Sequence, residues 1–461
     1  MKPSKKTPNK IFFLGIGGIG MSGLAEVLLN LGYTVSGSDI KQTFITKRLS
    51  SLGIRVIIGH NATNISDADM VIRSAAIEDT NPEIIEAQKQ ALPVLERAEL
   101  LSSLMNMKRG IAIAGTHGKT TTTSLLASIM TEAMLDPTFI NGGIIRSFAS
   151  NAKLGTGNYL LAEADESDKS FLMLQPSLEI ITNIDSDHLV NYENNFLNLE
   201  NAFVQFAKKL PFNGLLVACG DDPIIKKLTP SFSRKTILYG FEDENDYRIE
   251  NYKNLGFTSK FTLSDSEGNS SSFKLNLPGK HNVLNATAAS VLAIEEGISL
   301  INIQSALEKF SGINRRMQFL GEMNKTIVVD DYGHHPTEIE NTIMTLRESF
   351  PRSKITMVFE PHRFTRTKDL FDEFVEVLQL VDKLILLEIY PAGEKIIKGI
   401  SSFNLLKGVK DRGLGIAELA TSNDKALQLI KSSISKTEDV LLIQGAGNIS
   451  EISEMLTKEM K

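Results

Sequence analysis

The sequence predicts an α/β protein of several domains built largely on parallel sheets, and three observations carry that prediction. Apolar runs of strand length recur along the chain and end in glycines, acids or histidines, as buried parallel strands do. Two of these ends, at Gly15 and Gly115, are glycine-rich and open directly into helix-like patterns. At 461 residues the chain is too long for one core, so the runs must be shared among two or three domains.

Composition narrows the function classes. A hydrophobic content of 42% with 23% charged residues is that of a soluble globular protein. The net charge of −6 argues against a nucleic-acid-binding surface beyond a local basic patch. Cys219 is the single cysteine, which excludes an intrachain disulfide and a cysteine-cluster metal site and suits a reducing, cytoplasmic setting. The basic Met1-Lys-Pro-Ser-Lys-Lys6 before Ile11-Phe-Phe-Leu14 resembles a signal peptide, but glycines at 15, 17, 18 and 20 break the apolar run. A buried strand turning into a helix is expected there, and no membrane span elsewhere.

The first domain is expected over residues 1–105. Ile11–Leu14 reads as a strand, Gly15-Ile-Gly-Gly-Ile-Gly20 as a turn, Met21–Leu29 as a helix and Tyr33–Asp39 as a second strand ending in an acid. That is the dinucleotide-type βαβ fingerprint of a Rossmann-like domain, with Asp39 at the offset of a ribose partner. The ligand stays open, since any pyrophosphate on a ribose suits the same helix N-terminus. His60 and Ser74 leave strand ends, where each lines a crevice or merely caps a loop.

The central domain, 106–313, holds Gly115-Thr-His-Gly-Lys-Thr-Thr-Thr-Thr123 between the run Ile111–Ala114 and the helical pattern Ser124–Met130. Strand, glycine loop and helix make a phosphate loop of a parallel-sheet ATPase, although Thr116 and His117 alone separate the glycines where four residues are usual. Gly115, Thr116, His117, Gly118, Lys119, Thr120 and Thr121 are thus the expected nucleotide contacts, Lys119 reaching phosphate and Thr120 or Thr121 a Mg²⁺ ion. The run from Tyr159 ends in Glu163, Asp165, Glu166 and Asp168, and that from Leu178 in Asp185, Asp187 and His188. Parallel strands bring these ends to the edge that carries the loop, as hard ligands for a nucleotide-bound ion or as a solvated cluster. Asn282 and Asn285 share one face of a helix start, suited to an adenine edge or to capping.

The third domain, 314–461, repeats the Rossmann-like device. Ile327–Val329 releases Asp330, Asp331, Tyr332, His334 and His335 into a loop; Lys354–Phe359 leads to Glu360-Pro-His-Arg-Phe-Thr-Arg366; two further strands precede Pro391-Ala-Gly-Glu394 and Gly445-Ala-Gly-Asn448. Arg363 and Arg366 are guanidinium forks for carboxylate or phosphate. The histidine pair with an Asp nearby offers a base or a metal site, although nothing in the sequence completes a ligand set.

Together these residues spell out a family. The chain resembles the Mur ligases along nearly its whole length, through Gly-Ile-Gly-Gly-Ile-Gly-Met-Ser-Gly-Leu-Ala from Gly15, Gly-Thr-His-Gly-Lys-Thr-Thr from Gly115, Glu-Ala-Asp-Glu-Ser-Asp from Glu163 and Asp187-His188. His-Asn-Val-Leu-Asn-Ala from His281, Arg315-Arg316, Asp-Asp-Tyr-Gly-His-His-Pro from Asp330, Pro-His-Arg-Phe-Thr-Arg-Thr from Pro361 and Tyr-Pro-Ala-Gly-Glu from Tyr390 follow in order. The resemblance implies an N-terminal domain for the UDP-sugar, using Gly15, Gly17, Gly18, Gly20, Asp39 and Ser74, a central ATPase, and a C-terminal domain that closes with the amino acid. It further implies that Lys119 holds phosphate and that Thr120, Glu163 and His188 surround Mg²⁺, with Glu166 a rival for that ion. Asn282, Asn285, Arg316, Asp331 and Tyr332 are implied for the nucleotide, and His334, Arg363 and Arg366 for substrate carboxylates. The implied partners are ATP, UDP-N-acetylmuramate and L-alanine, with a homodimer left open.

Three alternatives remain at this point. A member of the family could use a murein tripeptide as acceptor. The Gly15 fingerprint could serve an NAD-dependent oxidoreductase, which leaves the Gly115 loop unexplained. A nucleotide-binding regulator without chemistry is the third.

Overall fold

A computed structural model describes residues 8–187, 189–413, 415–434 and 438–460. It contains three sheets. The chain separates into two units, one holding the described residues up to Asn251 with Phe261–Lys274 and Leu284–Ser311, the other Tyr252–Lys260, Leu275–Val283 and the chain from Gly312 on.

In the first unit, a five-stranded parallel sheet runs in the order Arg55–Ile58, Thr34–Asp39, Lys10–Leu14, Met70–Arg73, Val94–Glu96. Lys10–Leu14 is central and buried on both faces after its first residue, which is why it reads as an unbroken apolar run. The strand order reverses beside it, so Gly15 and Ser74 leave neighbouring strands at a topological switch point.

The second sheet has ten strands, and its parallel centre is Leu215–Cys219, Leu178–Ile181, Arg109–Ala114, Tyr159–Glu163, Thr138–Ile145. Register sets Ala114 beside Ile181 and Ile113 beside Glu163, so the acid-rich ends and the Gly115 loop share one edge. This bears out the expected parallel arrangement and adds elements that the apolar runs did not indicate. Ser150–Lys153 pairs antiparallel with Thr138–Ile145, and Tyr247–Leu255, Thr258–Asp265 and Ser270–Leu275 extend the far edge.

The third sheet, in the second unit, runs Gln318–Met323, Thr326–Asp331, Val440–Gln444, Ile355–Phe359, Lys383–Leu387, Ala417–Ala420. Only its first pair is antiparallel. Alternate residues divide between two cores: Val329, Met357 and Leu442 on one face, Val328, Val358 and Leu441 on the other. Asp331, Phe359 and Gln444 are register partners, which gathers the loops after these three strands at one edge. Among the described residues, no helix is long and apolar enough to cross a membrane.

Candidate functional site

The Gly115 loop is held from beneath by the end of Leu178–Ile181. The Thr116 N–H donates to the Asn183 carbonyl (3.0 Å), the His117 N–H to Asn183 Oδ1 (2.8 Å), and the Asp185 N–H to Thr116 Oγ1 (2.8 Å). Thr182 Oγ1 and Asn183 Nδ2 both donate to the His117 carbonyl, at 2.6 and 3.0 Å. His117 Nε2 lies 3.1 Å from Asp185 Oδ2. Both glycines are required by geometry: a Cβ on Gly115 (φ +128°) would stand 2.1 Å from Thr182 Oγ1, and one on Gly118 (φ +84°) 2.4 Å from Asn285 Oδ1. Helix Lys119–Glu132 then starts with Gly118 as N-cap and no side-chain cap. Its first-turn N–H groups have no intrahelical acceptor, and the loop's own carbonyls are taken up by Lys119, Thr182, Asn183 and Thr122, an arrangement that suits an anion cradle.

Lys119 lies inside the cradle. Its ammonium donates to the carbonyls of Gly115 and Thr116 (the latter 3.1 Å) and to Glu166 Oε2 at 2.7 Å. Burial works against its charge, but Glu166, Asp165 and Glu163 outweigh burial and hold it above the usual lysine range. Asp165 shows the mirror image: burial opposes its charge, Lys119 and Ser167 overcome that, and its carboxyl titrates below the usual range. Glu163 Oε1 accepts the Gly142 N–H at 2.5 Å, and a Cβ on Gly142 would come within 2.8 Å of that carboxylate. Thr120 is half-buried and Thr121 buried in the first turn. His188 lies outside the described residues.

The Gly15 loop uses the same device with different supports. The Gly15 and Ile16 N–H groups donate to the Ser38 carbonyl (2.9 and 3.0 Å), and the Gly17 N–H donates to Asp39 Oδ2 at 2.8 Å. A Cβ on Gly17 would stand 2.7 Å from that oxygen. Gly18 caps helix Ile19–Asn30 without a side-chain bond, and Gly20 abuts the Arg97 guanidinium, to which its Cβ would come within 3.3 Å. Ser74 flanks Gly15 on the next strand. His60 belongs to the layer beneath: Nδ1 is 2.6 Å from Glu83 Oε2, and Ser38 Oγ donates to the same oxygen at 2.9 Å.

In the second unit, Asp331 is a structural hub. Its carboxylate is buried and accepts from the N–H groups of Met317 and Gly333 (both 2.8 Å), from Gln444 Nε2 (2.8 Å) and from Thr342 Oγ1 (3.3 Å). Arg315 and Arg316 each lie 5.3 Å from the Tyr332 ring centre. His335 caps helix Pro336–Ser349 through Thr337, so of the histidine pair it is the helix cap.

His334 instead begins a ring column. It stands 5.6 Å from the His362 ring, which stacks on Tyr390 at 5.5 Å. Burial is the main cause that lowers His334 to about 4 and His362 to about 3, leaving both imidazoles neutral near pH 7. His334 Nδ1 faces the Tyr332 carbonyl at 3.2 Å, which places its proton there and leaves Nε2 as an acceptor. Arg366 reaches His362 at 3.5 Å, and Arg363 adopts φ +75° as it leads into helix Phe364–Asp369. Asn282 donates to the Pro278 carbonyl at 2.7 Å, while Asn285 packs against Gly118 and Thr122.

Sequence reasoning gave no role to Thr182, Asn183, Gln444 or His362. His362 had a signal, since it lies inside Pro361–Thr367, one of the motifs that carried the resemblance.

Comparison with known proteins places these features in context. Three family descriptions match in succession: Mur ligase family, catalytic domain, over residues 10–109; Mur ligase middle domain, over 113–293; and Mur ligase, glutamate ligase domain, over 315–447. The UDP-N-acetylmuramate-alanine ligase MurC of Thermotoga maritima is 31% identical, with a TM-score of 0.84 and 98% of each chain covered. A murein peptide ligase from Psychrobacter arcticus is 25% identical, with a TM-score of 0.73 over 98% of each chain. The MurF ligase of Thermotoga maritima, solved in complex with ADP, shares the fold at 16% identity and a TM-score of 0.63, covering 92% of this chain and 95% of its own.

Proposed function

The chain belongs to the Mur ligase family, and from that premise we propose that it joins L-alanine to the lactyl carboxylate of UDP-N-acetylmuramate in the cytoplasm, converting ATP to ADP and phosphate. The observation that carries the choice of amino acid is the 31% identity to a muramate-alanine ligase across 98% of both chains. A tripeptide acceptor is the second reading, supported by the 25% identity to a murein peptide ligase over the same span.

A carboxylate is a poor electrophile toward an amine, and phosphorylation removes that obstacle. One lactyl oxygen attacks the γ-phosphorus, ADP leaves, and an acyl phosphate forms; the alanine amine then adds to the acyl carbon, and phosphate leaves with that oxygen. Lys119 and the first-turn N–H groups of its helix bind the phosphates and absorb charge as it develops. The hydroxyl of Thr120 and the carboxylate of Glu163 are oxygen donors that fit Mg²⁺, and these two would hold it together with His188. When bound, that ion supplies charge neutralisation at the phosphates.

Arg363 and Arg366 hold substrate carboxylates through their guanidinium forks. Alanine must lose a proton from its ammonium before it attacks. His334, neutral and with Nε2 as acceptor, can accept a hydrogen bond from that ammonium, but with its pKa lowered to about 4 it is too weak a base to keep the proton. The Gly15 loop and Asp39 hold the UDP-sugar.

The test is ADP release by the purified protein with UDP-N-acetylmuramate and a panel of acceptors. L-alanine should give the highest kcat/KM. Preference for the tripeptide would favour the second reading, and ADP release independent of any acceptor would reject both.

A further inference from the structure

An ammonium has three protons to donate, and those of Lys119 are all assigned: to the Gly115 carbonyl, the Thr116 carbonyl and Glu166 Oε2. The two carbonyls belong to the loop itself and cannot leave without unfolding it. Glu166 is the one partner that a side-chain rotation can release, and the one that carries charge. It is also well anchored: its side chain is 1% exposed, and its carbonyl accepts Tyr192 Oη at 2.6 Å and the Lys169 N–H at 3.1 Å. Its neighbour in the acid cluster is committed differently, since Glu163 meets the Gly142 amide.

We propose that Glu166 is a positioning residue for Lys119 rather than a metal ligand: its carboxylate fixes the ammonium against the loop and competes with phosphate for it. The inference rests on the reading of the Gly115 loop as the ATP site. A phosphate oxygen that takes the third proton of Lys119 displaces Glu166 Oε2, so the carboxylate weakens nucleotide binding while it keeps the lysine in place. The two roles pull in opposite directions, which makes them separable. A metal ligand would strengthen binding only when metal is present.

The experiment compares the wild type with Glu166→Gln and Glu163→Gln, measuring ADP affinity by calorimetry in EDTA and again with magnesium, and kcat across a magnesium series. Glu166→Gln keeps the shape and an acceptor oxygen but removes the charge. It should tighten metal-free ADP binding at least fivefold, lower kcat tenfold or more, and leave the apparent KM for magnesium within twofold. Glu163→Gln should raise that KM without tightening metal-free binding. Metal-free affinity unchanged in Glu166→Gln, with the magnesium KM raised tenfold, would make Glu166 a metal ligand and overturn the proposal.

Should Glu166→Gln fold poorly, the pair Lys119→Met and Lys119→Met/Glu166→Gln replaces it. The double variant should melt higher than the single one, because Lys119→Met keeps the Glu166 carboxylate buried but removes the ammonium it faces. Equal or lower melting of the double variant contradicts the pairing. Wild type that binds no ADP even with magnesium rejects the ATP reading instead, while wild type that binds and is indistinguishable from Glu166→Gln rejects only the proposal.

Discussion

The two glycine loops of the first unit solve the same problem with different means. Each follows the central apolar strand of a parallel sheet and opens a helix whose N-cap is a glycine without a side-chain bond. The Gly15 loop carries no lysine and is supported by Asp39 and the Ser38 carbonyl. The Gly115 loop adds a charged side chain in contact with an acid cluster, on a scaffold made by Thr182, Asn183 and Asp185. Backbone N–H groups suffice to hold a diphosphate that does not react. A phosphate that changes hands needs charge placed where charge develops.

That contrast is broken most severely at Lys119. Lys119→Ala should lower kcat by roughly 10³-fold, the scale for losing a preorganised transition-state donor, and leave UDP-N-acetylmuramate affinity unchanged. Steady-state kinetics with a direct binding titration checks both; near-normal turnover contradicts the assignment.

The next test exchanges the loops' sensitivities. Gly115→Ala places a Cβ 2.1 Å from Thr182 Oγ1 at a φ of +128°, and should abolish ADP binding. Gly17→Ala meets Asp39 Oδ2 at 2.7 Å and should weaken UDP-sugar binding by roughly an order of magnitude, about 1.4 kcal/mol, with ADP binding intact. Loss of the same ligand in both variants would erase the distinction.

A smaller effect separates acids at strand ends from one within a strand. Glu179, in Leu178–Ile181, is fully buried, and neither carboxylate oxygen has a hydrogen-bond partner among the described residues. Burial pushes its carboxyl well above the usual range. Glu179→Met should therefore stabilise the protein by about 1–3 kcal/mol near neutral pH. The folded protein binds the extra proton, so wild-type stability falls as pH rises above about 4.5, the ordinary glutamate value. The gap between the two melting temperatures should widen upward from that pH and be constant below it.

Local devices were legible in the sequence. Gly15–Gly20 and Gly115–Lys119 declare themselves because strand, turn and helix are contiguous, and Val328 and Val329 feed two cores while reading as one apolar run. The strand Tyr247–Leu255 was not legible: half-exposed and polar, it lacks the apolar signal on which strand recognition depends. Pairings set by sheet order were equally hidden. Nothing near Asp331 in the chain points to Gln444, which reaches it only because Val440–Gln444 inserts beside Thr326–Asp331. Lys119 meets Glu166 for the same reason, since Tyr159–Glu163 returns beside Arg109–Ala114.

In the proposed reaction phosphate takes an oxygen from the substrate's carboxylate, and isotope transfer measures that directly. UDP-N-acetylmuramate carrying ¹⁸O in the lactyl carboxylate, turned over with ATP and L-alanine, should release phosphate bearing one ¹⁸O per peptide bond formed. Phosphate free of label alongside normal peptide formation would contradict it.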